Sequence, residues 1–424
     1  MPKNILHSTQ NGTDNTYTGK LQINVTSSLG LIPIQDATIT ISYTGVPDVT
    51  IEKISTDSSG QTEMVDLPAP PPEYSLNPVE QQPYSEYNIQ VEAPGYEPVM
   101  VSGTEILPGV TAMQPVELTP IEATQQEEEV IVIPDHTLYG EYPPKIPEEE
   151  IKPVDESGEI VLSRVVIPEY VVVHNGSPDD TTAGNYYVRY RDYIKNVVSS
   201  EIYATWPETA IYANTLAIMS FTLNRVYTEW YRNKGYNFTI TSSTAYDQKW
   251  MRGRNYYENI GRIVDSIFNN YLSRPGVRQP IFTAYCDGRR VTCDGLSQWG
   301  SKYLGEEGYA AIDIIRYYYG NDMYINSAQS VSGVPSSWPG YDLTIGSTGE
   351  KVRQIQQQLN RIARNYPAIP TVAADGVFGP ATAEAVRAFQ RIFNLPASGI
   401  VDFPTWYSIS NIYVAVSRIS EPGT

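Results

Sequence analysis

Ser199-Ser-Glu-Ile-Tyr-Ala-Thr-Trp206 places a single carboxylate, Glu201, among aromatic residues and directly before a long apolar-patterned segment. Thr205 and Glu208 have the spacing of a capping box, and Pro207 suits a first helical turn. Ala210, Ile211, Ala213, Asn214, Ala217, Ile218, Phe221, Leu223 and Val226 then recur at a largely helical period, which predicts a core helix over residues 207–232. Glu201 is therefore expected just ahead of a helix start. The rest of the chain reads as parts that deliver, restrain or anchor this carboxylate.

The chain has 424 residues, enough for two or three domains with a core each. It holds 33 Tyr against 8 Phe. Tyrosine-rich surfaces suit polar, ring-shaped ligands such as sugars, although core packing is the plainer account. The net charge of −19 argues against a nucleic-acid partner, which would need basic patches. Residues 120–159 alone carry twelve acidic residues and two lysines, or −10 of that charge. Two cysteines, Cys286 and Cys293, are too few for a disulfide framework. No apolar run reaches a membrane-spanning length, and the first ten residues lack the apolar core of a secretory signal. The expectation is a protein made and first used inside a cell or a cell-derived compartment.

Residues 1–18 are polar and read as a loose N-terminus. Residues 19–118 alternate with period two and are punctuated by Gly, Pro, Asp and Ser, which predicts an all-β module. The turn at residues 91–96 and the strand pattern after it resemble the carboxypeptidase-regulatory-like β-sandwich. A structural or folding-assisting role is expected there. Residues 119–165 read as an acidic, Pro-rich linker, either a plain spacer or a pro-region with a protease site. The apolar insert at residues 130–133 can dock as a strand on a neighbour. Residues 166–330 read as an α+β domain. Its expected strands are 168–173 and 280–285, and its expected helices are 207–232, 256–272 and 297–320, the last interrupted at Gly308. Residues 331–340 form a short linker. Residues 341–415 read as a small three-helix domain, with helices at 349–365, 380–393 and a short one near 404–409. No internal repeat is apparent.

The C-terminal domain carries Ala374-Asp-Gly-Val-Phe-Gly-Pro-Ala-Thr382 and Ala385-Val-Arg-Ala-Phe-Gln390. Gly376 and Gly379 permit a tight turn and Pro380 opens a helix. This spacing closely resembles the peptidoglycan-binding module of bacterial wall hydrolases, over about 70 residues. In that family the turn lies near the ligand groove, so the resemblance makes Asp375, Phe378, Thr382 and Gln390 candidates for contact. Phe378 and Phe389 also suit a core.

The central domain resembles the stage II sporulation protein D/LytB family of lytic transglycosylases. The resemblance rests on Ser200-Glu-Ile, Thr205-Trp-Pro, Tyr246-Asp-Gln248, Asp294-Gly-Leu-Ser-Gln-Trp-Gly300, Gly308 and Ile315-Arg-Tyr-Tyr-Tyr-Gly320. It implies that Glu201 is the catalytic acid. One carboxyl suffices there, because the substrate's own C6 hydroxyl attacks the oxocarbenium-like centre and replaces the second carboxylate of ordinary glycosidases. Burial against Tyr203 and Trp206 would favour the proton-bearing form, while a helix N-terminus would oppose it. Gln298 suits hydrogen bonding to sugar hydroxyls or amides. Trp299 suits stacking on a pyranose face, or the core. Tyr203 and Gln248 complete the candidate substrate contacts.

The chain departs from the family in two places. The family's Ala-rich helix carries an Arg where this chain has Met219, and Arg225 is the nearest basic replacement. Some members hold zinc with paired His and Cys near the position of Cys286 and Cys293, and here no His stands beside them. Reduced thiols or a disulfide are expected instead, with no metal and no other cofactor.

The order of β-module, acidic linker, D/LytB-like domain and wall-binding module resembles the SleC-type spore cortex-lytic enzymes. That resemblance implies a proenzyme stored in the spore, activated by a subtilisin-like germination protease, and acting on cortex peptidoglycan without spanning a membrane. Two alternatives stand: a non-enzymatic wall-binding scaffold, and a phage or secreted wall hydrolase of different bond specificity.

Overall fold

The computed structural model describes residues 17–29, 31–121, 128–152, 165–332 and 338–418. The loose start expected over 1–18 lies almost wholly outside these residues, and so do residues 333–337 of the linker expected over 331–340. So does the 153–164 stretch of the acidic segment.

The N-terminal strands build two sheets of five strands each. In one, Thr18–Ser27 runs antiparallel to Val65–Pro68 and parallel to Thr111–Leu118. In the other, the order is Val46–Ser55, Thr38–Tyr43, Ser85–Glu92, Val99–Ile106 and Glu129–Val132. The period-two pattern puts Leu21, Ile23 and Val25 of one sheet, and Ile39, Ile41, Ile89 and Val91 of the other, into one core.

Each sheet takes an edge strand from outside the expected module. Glu129–Val132 pairs in parallel with Val99–Ile106. Tyr256–Tyr257, expected as helix, pairs antiparallel with Ala112 and Met113. Two tyrosines favour a strand where an open sheet edge offers a partner. The helix that follows is accordingly shorter, Glu258–Ile267, and Asn270–Ser273 is a strand that pairs antiparallel with Tyr324–Ser327. The joint is sealed by polar groups. Asn255 exchanges both amide bonds with the Glu105 backbone, each at 3.1 Å, and Arg254 Nη2 lies 2.7 Å from Glu105 Oε2.

The organising stretch folds differently from its expectation. Residues Tyr190–Glu201 form a helix whose Tyr193, Ile194, Val197 and Val198 face the core, so Glu201 ends one helix. The next helix, Glu208–Tyr227, begins at an N-cap of Pro207 without a side-chain cap. The Thr205 hydroxyl is drawn away to Ser75 Oγ at 2.9 Å, and Trp206 Nε1 donates to Ser75 O at 2.9 Å. Tertiary partners have replaced the capping box. Glu208–Tyr227 is buried on nearly all sides, as its apolar sequence requires. The expected 297–320 helix is two, Gln298–Glu306 and Ala311–Tyr319, broken where Gly308 takes φ +87°. Of the expected strand 280–285, only its end at Tyr285–Cys286 pairs, in parallel with Leu296–Ser297.

The C-terminal module has helices Glu350–Ala363, Pro380–Ile392 and Phe403–Arg418, the third much longer than expected. It also contains a repeat that the sequence reading missed. Gln356 Oε1 accepts from Gly376 N while its amide donates to Val377 O and Thr382 Oγ1. Gln390 does the same with Gly399 N, Ile400 O and Thr405 Oγ1. In each case Gly and Thr are six residues apart, and this Gly-to-Thr spacing was the available signal. Tyr366 OH donates to Leu31 O at 2.7 Å, which ties this module to the first sheet.

Candidate active site

Glu201 is 2% exposed, and three donors converge on its carboxylate. Lys249 N donates to Oε1 at 2.8 Å, Tyr285 OH to Oε1 at 3.3 Å and Gln298 Nε2 to Oε2 at 3.0 Å. The backbone carbonyls that end its helix oppose a negative charge at that position, the reverse of the expected N-terminal influence.

Each donor is placed by its own local structure. Gln298 is the first residue of a helix capped by Ser297, whose Oγ accepts from Gly300 N at 3.0 Å. Tyr285 sits on the short bridge to Leu296. Burial first, and then the Glu201 charge, push its phenol well above the ordinary range, so it remains a donor. Lys249 follows two fixed side chains. Asp247 accepts from Arg225 Nε, Tyr231 OH, Thr241 N and Thr241 Oγ1, all within 2.9 Å. Gln248 Oε1 accepts from Tyr193 OH and Thr222 Oγ1, and its amide donates to Ile218 O. The turn that offers Lys249 N is thereby pinned to both core helices.

The acidic segment crosses this site as an ordered strap. His136 Nε2 lies 2.9 Å from Ser199 O and 3.2 Å from Ile202 O, at the end of the Glu201 helix. Lys145 Nζ donates to Asp247 O at 2.9 Å and sits 4.3 Å from the Tyr285 ring centre. Burial lowers the Lys145 pKa against the pull of Glu201 and Asp247. Glu148 forms a bidentate pair with Arg225, at 2.8 and 2.6 Å. Burial disfavours its charge, but Arg225 and Lys152 outweigh that and hold its pKa below the usual carboxylate range. Glu150 pairs with Arg274, and Lys152 exchanges backbone bonds with the Gln279 amide. A segment read as a linker is therefore docked from residue 128 to 152, by strand pairing at one end and by fixed partners for Glu129, Lys145, Glu148, Glu150 and Lys152.

The candidate residues divide. Gln298 reaches Glu201 directly. Gln248 lies beneath the site as a brace. Arg225 is fully buried under Glu148. Tyr203 and Trp299 are buried in an aromatic cluster with Trp206, Tyr203 also stacking on His136 at 4.5 Å. In the C-terminal module Phe378, Thr382 and Gln390 point inward, and Asp375 is an exposed turn residue accepting from Val377 N at 2.9 Å and Gln356 Nε2 at 3.1 Å. Tyr285, Lys249 and most of the strap were missed. Tyr285 had a faint signal in its place beside Cys286, and the strap's apolar run at residues 130–133 was expected to dock as a strand, as Glu129–Val132 does. Cys286 and Cys293 form a disulfide. Inside that loop Asp287 accepts from the backbone of Arg289, Arg290 and Val291, and Arg290 donates to the strap at Gly140 O, 2.6 Å. Among the described residues, no cluster of His, Cys, Asp or Glu could hold a metal ion, and no helix is long and apolar enough to cross a membrane.

Residues 180–271 match the family model described as "Stage II sporulation protein", and residues 348–409 match "Putative peptidoglycan binding domain". Glu201 lies within the first match and both glutamine staples lie within the second. One curated relative, the zinc D-Ala-D-Ala carboxypeptidase of Streptomyces albus G, is 45% identical over 74 residues. That stretch is 17% of this chain and 27% of the relative. Among solved structures, the Bacillus anthracis TIE protein is similar at 14% identity and TM-score 0.18, covering 25% of this chain and 17% of that one. The minor pilin GBS52 of Streptococcus agalactiae is similar at 13% identity and TM-score 0.18, covering 26% and 48%. Likenesses this distant carry no argument. The chain thus combines a segment of the stage II sporulation protein type with a peptidoglycan-binding segment.

Proposed function

We propose that this chain is a lytic transglycosylase that cuts the glycan strands of spore cortex peptidoglycan, with Glu201 as its acid. The observation that carries the reading is the seating of Glu201. It is a buried carboxyl held by Lys249 N, Tyr285 OH and Gln298 Nε2, with the strap's His136 and Lys145 packed against Tyr203 and Tyr285. In the proposed reaction Glu201 gives its proton to the glycosidic oxygen between muramic acid and glucosamine units. The C6 hydroxyl of the same muramic residue attacks the anomeric carbon and returns its proton to Glu201. The products are a 1,6-anhydro end and a free glucosamine end, with no water consumed.

The wall-binding module would hold the enzyme on its polymer. The strap supports storage as an inactive proenzyme in the spore, released when a germination protease cuts the acidic segment. The test is digestion of purified cortex peptidoglycan by the full chain, before and after limited proteolysis, beside a Glu201→Gln chain. Fragments lighter by one water per cut, absent with Glu201→Gln, are expected. Reducing ends of full mass would overturn transglycosylation. Equal activity before and after proteolysis would overturn the proenzyme.

A further inference from the structure

The strap meets the domain beneath it at a row of rings. His136 stacks on Tyr203 at 4.5 Å, and Lys145 Nζ lies 4.3 Å from the centre of Tyr285. Lys152 Nζ lies 3.8 Å from the centre of Phe282 and 4.8 Å from that of Trp230. Into this row Glu148 brings a carboxylate, and both its oxygens meet the Arg225 fork.

The other edge of Arg225 is committed elsewhere. Its Nε donates to Asp247 Oδ1 at 2.7 Å, and Nη2 also reaches Tyr246 O at 3.1 Å. Its guanidinium lies 4.9 to 5.6 Å from the ring centres of Phe221, Trp230, Tyr231 and Phe282. Without Glu148, two donors of a desolvated, aromatic-walled guanidinium would face the space the strap now fills. An uncompensated buried charge is costly, and a planar fork selects a carboxylate by geometry. Asp247 accepts from Arg225 Nε and, two residues on, Lys249 N donates to Glu201, so one short turn ties the fork to the acid.

We propose that departure of the strap opens a groove over Glu201 and that the Arg225 fork is its carboxylate-binding subsite. Glu148 fills it in the strapped chain, and an acidic group of the wall polymer fills it when the strap leaves. The inference rests on the reading of the groove as a glycan site. It adds that the strap closes the groove by imitating an anionic part of the substrate. Both the lactyl arm of muramic acid and the stem peptide carry such a carboxylate.

The test reads binding without turnover, in full chains carrying Glu201→Gln. The probes are the glucosaminyl-muramic acid disaccharide with a free lactyl carboxylate, the same disaccharide bearing a stem peptide, and chitobiose, which has no carboxylate. Titration calorimetry compares Glu148 with Glu148→Gln, and hydrogen exchange follows residues 135–152. Glu148→Gln is expected to loosen the strap and to raise affinity for a carboxylate-bearing probe about tenfold, as loss of a competing charged pair allows. Chitobiose should show no gain. Adding Arg225→Lys, which keeps the charge and loses the fork, should abolish the gain. The probe that gains more identifies the source of the carboxylate. Equal gains for all three probes, no gain for any, or a gain that survives Arg225→Lys would overturn the subsite. Carboxylate-dependent binding together with no cleavage by the Glu201 chain would remove the catalytic reading and leave the subsite standing.

Discussion

Gln298 donates its side-chain amide to Glu201 Oε2 at 3.0 Å, across 97 residues of chain. Both groups are buried, and the amide is aimed by the first turn of its own helix. On the proposed reading this bond orients the acid. Gln298→Ala is expected to lower kcat roughly tenfold to a hundredfold, with KM little changed. The check is release of soluble fragments from cortex peptidoglycan by the proteolysed chain. An unchanged kcat would show that Gln298 only fills space.

His136 should make strap docking sensitive to acid. Its ring suits the neutral Nε2–H form, donating to Ser199 O and Ile202 O while Nδ1 accepts from Leu138 N at 3.3 Å. A second ring proton would confront the Leu138 N–H. Burial, and then the Arg254 charge, hold its pKa well below the ordinary value. The docked state thus binds fewer protons than the released one. Docking is complete above about pH 6.5 and weakens as pH falls below it. Protection of residues 129–152 against hydrogen exchange, taken relative to the intrinsic amide rates, should fall from pH 7.5 to pH 5, and equal protection at both would contradict the account.

Glu105 should act in the opposite direction. Burial outweighs the nearby Arg254 and raises its carboxyl to about 8. The folded pKa is above the unfolded one, so this contribution to stability is full at acid pH and is lost as pH rises through about 8. The joint between the first sheet and residues 254–257 should loosen accordingly. Thermal unfolding across pH 6 to 9 should show the decline, and Glu105→Gln should flatten it.

The two glutamine staples predict matched losses in the wall-binding module. Gln356→Ala removes an acceptor for Gly376 N and donors to Val377 O and Thr382 Oγ1. The cost is expected to be about 2 to 3 kcal/mol, since buried partners are left unpaired. Gln390→Ala should cost about as much, for the same reason. Denaturant unfolding of the full chain, followed at Trp406, would measure both, and a negligible change in either would refute the equivalence.

Part of this architecture was legible in the chain itself. Helix Glu208–Tyr227 followed from apolar periodicity, and the turn around Gly376 from its glycines and Pro380. Gln298 was singled out by type and motif, and it lies at Glu201. The capping box at Thr205 was legible and did not form, because Ser75 offered Thr205 and Trp206 nearer partners. Tyr256–Tyr257 was read as helix because no local signal announces an open sheet edge 143 residues earlier.

By itself, the sequence determined where a lone carboxylate stands, which helix is core, and that the C-terminal residues form a helical wall-binding type of module. Local periodicity and turn chemistry suffice for those. Only the tertiary structure decided that the acidic segment is a strap and that Arg225 is closed by Glu148. Composition rich in Pro and Glu states only that a segment cannot build its own core. It does not show that Lys145, Glu148 and Glu150 have fixed partners waiting 77 to 124 residues away. Such pairings depend on where the core places each partner, which local patterns along the chain do not record.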